Sequence, residues 1–169
     1  PIFVDQKKEI DKQNQITNLI DLELSKLSGD YAVIIKDLAS PLEYKKNETK
    51  TFTSASIYKL AVMYKIFDML ENKQLLETDQ ILPGQTVKEA LNLMITVSDN
   101  YAAILLSSKV GSKKIANFIK ESGYKNSNYK QPPQTSANDV GLFFEMLYKG
   151  EIIDNEYSGI MIDLLKRQK

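Results

Sequence analysis

Thr53-Ser54-Ala55-Ser56-Ile57-Tyr58-Lys59-Leu60 carries the chain from polar residues into an apolar run. From Ile57 onward, Ile57, Leu60, Ala61, Tyr64, Phe67 and Leu70 recur at helical spacing, with Val62, Met63 and Ile66 on the flanks. That pattern predicts a largely buried helix. Ser56 falls in its first turn, over the positive end of the helix dipole, and Lys59 projects one turn along the same face. Two readings are open at this point. Ser56 is either a cap on a core helix, with Lys59 reaching out to solvent, or a nucleophile whose proton is taken by a lysine that burial has turned into a base. The Ser-x-x-Lys spacing alone does not separate them, because it recurs at Ser122/Lys125 and Ser127/Lys130. Those later copies lie in a polar stretch containing Gly and Asn, with no apolar helix to bury the lysine.

Composition narrows the chemistry. The chain has no His and no Cys, which excludes a Ser-His-Asp triad, a Cys-His pair and the usual zinc sets. A lysine is the base that remains for a serine hydrolase, and neither a metal nor a cofactor is expected. With 169 residues, 43% of them hydrophobic, the chain can bury one core, and it reads as a single domain over 1–169. Lys+Arg 22 against Asp+Glu 22 leaves a formal net charge of +0, so no basic patch argues for nucleic acid. The apolar runs are too short to cross a bilayer and no signal peptide is present. Because the first residue is Pro1 rather than Met, a processed or trimmed N-terminus is expected. The absence of Cys is compatible with an extracytoplasmic protein.

Ahead of the central stretch, Pro1 to Val4 reads as a lead-in arm, and Lys7 to Leu27 as an amphipathic helix with Ile16, Leu19, Ile20, Leu24 and Leu27 on one face. Tyr31-Ala32-Val33-Ile34-Ile35 suits a buried strand, Ser40-Pro41 a turn, and Leu42 to Thr49 a polar, lysine-rich edge strand, together a hairpin. Beyond the central helix, Glu71-Asn72-Lys73 and Pro83-Gly84 mark loops. Thr86-Val87-Lys88-Glu89 makes a capping box for a helix running towards Ser98. Ser98-Asp99-Asn100 then interrupts two apolar segments; taken alone it is a helix-helix turn in which Ser98 or Asp99 caps the next helix. Helices follow over Tyr101 to Leu106 and Ser112 to Ser122, a polar loop over Tyr124 to Gln134, a helix capped by Ser136-Ala137-Asn138-Asp139, and a last helix over Asn155 to Arg167.

Ser-x-x-Lys at the start of a buried helix, followed after the Pro-Gly turn and a capped helix by Ser-Asp-Asn, resembles the penicillin-recognising serine enzymes, class A β-lactamases and penicillin-binding D,D-peptidases. The opening helix and hairpin and the helix start at Thr135-Ser136-Ala137-Asn138-Asp139-Val140 extend the resemblance over nearly the whole chain. It implies an α+β fold: the helical part plus an N-terminal β-hairpin, with the C-terminal sheet strands missing from this chain. By the same resemblance, Ser56 would be the acylated nucleophile and Lys59 would hydrogen-bond it and take its proton. Ser98 would relay a proton to the leaving nitrogen, Asn100 would hold Lys59 and the substrate amide, and Asp99 would keep the turn in shape. The backbone N–H of Ser56 would supply half an oxyanion hole. The partners implied are a β-lactam or a peptidoglycan stem peptide.

Two departures from the family pattern shape the expectation. No Lys-Thr-Gly follows the Ser-Asp-Asn turn, and Lys50-Thr51-Phe52 is no substitute because it precedes the nucleophile and lacks the glycine. A fragment, a split chain completed by a C-terminal partner fragment, and a natural truncation are all open. The family's class A members also place a glutamate on a loop after Ser-Asp-Asn to activate the hydrolytic water, whereas between Tyr101 and Val140 the acids here are Glu121, in a helix, and Asp139, in a capping position. The expectation is acylation with slow deacylation. A pseudo-enzyme that binds cell-wall ligands without turnover, a scaffold using an open sheet edge, and a purely helical binding module are the competing classes.

Overall fold

A computed structural model describes residues 2–169, with side chains described from Lys7 onward. The chain divides into two compact units, Pro1–Lys50 and Thr51–Lys169.

In the first unit a long helix, α1 (Ile2–Leu24), precedes a hairpin of β1 (Val33–Lys36) and β2 (Glu43–Lys46), paired antiparallel with Val33 opposite Lys46 and Lys36 opposite Glu43. The hairpin expected from sequence is present. The lead-in arm expected over Pro1 to Val4 is not: the helix begins at Ile2, and Pro1 lies outside the described residues. The expected burial of the first strand is also corrected. Ile35 is 48% exposed, while Tyr44, on the strand read as a polar edge, is the one buried hydrophobic residue described in this unit. β2 is the only strand neighbour that β1 has among the described residues, so no further strand flanks Ile35 within this sheet. Leu19 and Leu27 of the expected apolar face stay exposed as well. α1 is joined to β2 by polar contacts. The Gln13 carboxamide donates to Glu43 O at 2.6 Å and accepts from Glu43 N at 3.1 Å, and Tyr44 and Lys46 both donate to the Asp21 carboxylate.

The second unit is built around α2 (Lys59–Glu71), entered through a 3-10 turn over Ala55–Tyr58. The helix is buried as expected, but mainly through the residues read as its flanks. Val62, Met63 and Ile66 are fully enclosed together with Phe67, whereas Leu60, Ala61 and Tyr64 of the expected apolar face are half-buried and Ile57, in the 3-10 turn, is exposed. Packed around α2 are α3 (Val87–Thr96), α4 (Asn100–Val110) and α5 (Ser112–Glu121). Ala102 and Ala103 on α4 are small enough to let its backbone close on its neighbours, and Phe118 of α5 stacks on Tyr64 with ring centroids 3.8 Å apart. α6 (Ala137–Tyr148) and α7 (Asn155–Lys166) complete the core through Phe143, Leu147, Met161 and Leu164.

The capping box read from sequence is formed: Thr86 Oγ1 accepts from Glu89 N at 3.2 Å and Glu89 Oε2 accepts from Thr86 N at 2.7 Å. Two strand pairs were not read. β4 (Gln80–Leu82) and β5 (Gln85–Thr86) pair across Pro83-Gly84, with Gly84 at φ +80 supplying the turn. β3 (Thr51–Thr53) pairs antiparallel with β6 (Gln134–Ser136), so that the segment leading into the 3-10 turn is tied to the segment leading into α6. Among the described residues no helix is long and apolar enough to cross a membrane.

Candidate active site

Ser56 lies in the 3-10 turn ahead of α2, exposed, and Lys59 is the first residue of α2, only 3% exposed. The turn is held by backbone bonds on both sides: Ser54 N donates to Pro133 O at 2.8 Å, and Ile57 N closes back on Ser54 O at 2.9 Å. Between them Ala55 adopts φ +44, a left-handed conformation that costs a residue with a Cβ about 1–3 kcal/mol and persists only where its surroundings enforce it. Ser98, between α3 and α4, is held at φ +53. The two strained residues flank the same cluster of side chains.

That cluster contains all four residues singled out in the sequence. Lys59 Nζ donates to Ser98 O at 2.7 Å, Ser98 Oγ at 2.9 Å and Asn100 Oδ1 at 2.8 Å, which occupies the three hydrogens of an ammonium group. Ser98 Oγ in turn donates to Ser56 Oγ at 3.1 Å. The direct Lys59–Ser56 hydrogen bond that the family resemblance implied is replaced by this two-step link through Ser98. Lys59, leading α2 out of the 3-10 turn, reaches the turn between α3 and α4, where Ser98 stands between it and Ser56.

Burial pushes the Lys59 ammonium below its ordinary pKa, while the charge of Asp99 acts in the opposite sense. Asp99 itself caps α4, its Oδ1 accepting from Ala102 N at 2.6 Å. The tripeptide therefore does both things the sequence left open: Asp99 caps the helix, and Ser98 and Asn100 face the lysine.

A cleft of about 760 Å³ opens beside Ser56. Its wall includes Thr53, Tyr58, Asn100, Ile104, Ser107, Tyr129 and Gln131, and no acidic or basic side chain is among its lining residues. Tyr129 reaches in from the loop before β6, donating through its hydroxyl to Ser107 Oγ at 3.1 Å, with its ring edge-on to Tyr58 at 6.0 Å. Sequence reading missed this tyrosine; an aromatic in the middle of a polar loop containing Pro132-Pro133 was the available signal. Among the described residues no group of three or more Asp and Glu stands together in a way that could hold a metal ion.

The architecture is shared with solved structures. A beta-lactamase from Sphaerobacter thermophilus DSM 20745 is similar with a TM-score of 0.70 and 21% identity, over 75% of this chain and 59% of that one. A mutant of PBP-A, solved as an acyl-enzyme complex with penicillin G, is similar with a TM-score of 0.80 and 18% identity, over 92% of this chain and 68% of that one. At these identities the likeness shows the fold, the α+β arrangement that the sequence implied. D-alanyl-D-alanine carboxypeptidase DacF of Bacillus subtilis (strain 168) is 25% identical in an alignment of 166 residues, covering 80% of this chain and 42% of that protein. The chain thus spans well under two thirds of the carboxypeptidase and of the Sphaerobacter enzyme. Residues 11–169 match the profile of the Beta-lactamase enzyme family, which makes this chain a member of that family.

Proposed function

We propose that this chain carries the acylating centre of a serine hydrolase that acts on β-lactams or on D-Ala-D-Ala ends of cell-wall peptides, outside the cytoplasmic membrane where such peptides occur. The observation that supports it most is the buried Lys59 joined to the exposed Ser56 through one hydroxyl, that of Ser98. In the acylation step Ser56 Oγ bonds to the substrate carbonyl carbon. The Ser56 proton passes to Ser98 Oγ while the Ser98 proton passes to Lys59 Nζ. When the carbon–nitrogen bond breaks, the same path runs backwards and delivers a proton from Ser98 to the leaving nitrogen.

This requires Lys59 to enter the reaction uncharged. As an ammonium it donates to all three of its acceptors and has no lone pair to offer. As an amine it keeps two of those bonds and turns the lone pair to Ser98 Oγ, whose single proton then points to Nζ instead of to Ser56, so that the Ser98–Ser56 bond reverses and Ser56 becomes its donor. Burial favours that state. Asn100 holds Lys59 in line and is placed at the cleft wall to meet a substrate amide. The backbone N–H of Ser56, in the leading turn of the helical run, is one donor for the oxyanion.

Deacylation is slow in this reading. A hydrolytic water needs a base, and the cleft beside Ser56 is lined by hydroxyls, two carboxamides and apolar groups. Intact-mass spectrometry before and after incubation with penicillin G tests the proposal. The expected result is one long-lived adduct on the peptide containing Ser56, absent in Ser56→Ala. An adduct that survives in Ser56→Ala would overturn it, and saturable binding with no change in mass would identify a non-catalytic ligand binder.

A further inference from the structure

Asp139 is a carboxylate with more to do than its position explains. It stands in the first turn of α6, 3% exposed, and its backbone N–H already satisfies the Ser136 cap at 3.2 Å. In a reciprocal capping box its side chain would return to the Ser136 backbone. Instead its Oδ2 reaches across to the loop after α5, accepting from Asn126 N at 2.7 Å and from Ser127 Oγ at 2.8 Å. Its Oδ1 is buried with no hydrogen-bond partner. A buried carboxylate oxygen left bare is costly, so the two bonds made by Oδ2 hold against an opposing term.

What those bonds hold leads to the nucleophile. Ser127 spends its one hydroxyl proton on Asp139, so the 2.9 Å contact with Thr135 has Thr135 Oγ1 as donor and Ser127 Oγ as acceptor. Asn128 and Gln134 exchange both backbone hydrogen bonds, at 3.0 and 3.2 Å, which ties the loop to β6. Thr135 lies opposite Phe52 in the β3–β6 pair, and Pro133 O takes the Ser54 N–H. Ser54 O then closes the turn in which Ala55 is forced to φ +44 and Ser56 is presented.

We propose that Asp139 is a positioning residue for the reaction at Ser56. It clamps the loop at Asn126 and Ser127, and through Thr135, Gln134 and Pro133 it fixes the strained turn that aims the Ser56 hydroxyl and backbone N–H. This rests on the acylating role assigned to Ser56 above. Without the clamp the Ser54–Pro133 bond opens more often, the turn relaxes, and the acylation step suffers while the cleft still binds ligand.

Two readouts on Asp139→Ala, Asp139→Asn and Ser127→Ala test it: amide hydrogen exchange at Ser54 and Gln134 in the free protein, and the maximal rate and half-saturating concentration of penicillin G acylation. In Asp139→Ala, exchange at Ser54 is expected to accelerate about 10-fold or more, and the maximal acylation rate to fall by about 10²-fold at a nearly unchanged half-saturating concentration, the loss that a misplaced reacting group brings. Asp139→Asn is expected to keep both near the unmodified values, because an amide oxygen can accept the same two bonds. Ser127→Ala, which removes one tether, is expected to move both readouts in the same direction by less, and it decides the matter if Asp139→Ala does not fold. Unchanged Ser54 exchange overturns the clamp. Faster exchange with unaltered acylation overturns the positioning role. If the unmodified protein forms no adduct at Ser56, the acylating role and the positioning role fall together, and the exchange rates alone decide whether the clamp exists.

Discussion

Lys59 and Ser98 meet twice, Nζ donating to the serine's side-chain oxygen at 2.9 Å and to its carbonyl oxygen at 2.7 Å. Ser98 makes both contacts while held at φ +53, so the lysine is anchored on a strained residue. Substituting Lys59→Met keeps the volume and the buried stem and removes the amine. Acylation by penicillin G is expected to fall by about 10²–10⁴-fold, the usual contribution of a positioned base, while the melting temperature is expected to change little, relief of a desolvated charge opposing the loss of three hydrogen bonds. Quenched time courses read by intact mass, paired with a thermal melt, check it; acylation at the original rate would remove Lys59 from the reaction.

The same lysine sets a pH dependence. Its folded pKa lies below the 10.5 of a free lysine, with burial the main cause. Acylation should therefore rise with pH along a limb whose midpoint lies below 10.5. Stability moves in the same direction: between the lowered folded pKa and the unfolded value the unfolded chain binds more protons, so the contribution of this group grows as pH rises through that window and is constant below it.

Asp99 offers a sharper test, since its charge raises the Lys59 pKa while its side chain caps α4. Asp99→Asn keeps a good cap and removes the charge. The acylation limb should move to lower pH, with little change in the urea midpoint. A limb that stays in place would show that Lys59 does not titrate it.

The proposed slow deacylation rests on the uncharged lining of the cleft. Gln131→Glu puts a carboxylate into that lining, on the loop that also carries Tyr129. The adduct should decay faster, by about 10-fold or more if the new carboxylate reaches a water at the ester. Following loss of the adduct mass after excess penicillin is removed measures this directly, and an unchanged lifetime would place the limit on turnover elsewhere.

The core that supports the site is open to a simpler test. Leu106 on α4 is fully buried, beside the small residues Ala102 and Ala103 that bring the helix close to its neighbours. Leu106→Ala leaves a void there and should cost about 2–5 kcal/mol. A shift of the urea midpoint with an unaltered slope is the expected form of the result.

Much of this was legible along the chain where the signal was local. The Thr86–Glu89 capping box, the periodic apolar face of α2 and the Ser98-Asp99-Asn100 interruption each announce themselves within a few residues. The β3–β6 pair did not, because Thr51-Phe52-Thr53 and Gln134-Thr135-Ser136 have no alternation to speak of and become strands only by meeting each other across a long separation in sequence. Asp139 shows the same limit. Its capping position is local and was read, whereas the tether to Asn126 and Ser127 exists only in three dimensions. Whether Lys59 is buried or reaches solvent stays open in the sequence, and that Ser98 stands between it and Ser56 is visible only in three dimensions.

The Gln13 carboxamide gives the hairpin a direction of growth. By donating to Glu43 O and accepting from Glu43 N it does for β2 what the peptide group of a further strand would do, so a strand arriving on that side would first have to displace it. Addition is left to the opposite margin, past β1. A synthetic strand offered to this chain should therefore dock in one polarity of the sheet only, and exchanging Gln13 for an apolar residue should make the two margins compete.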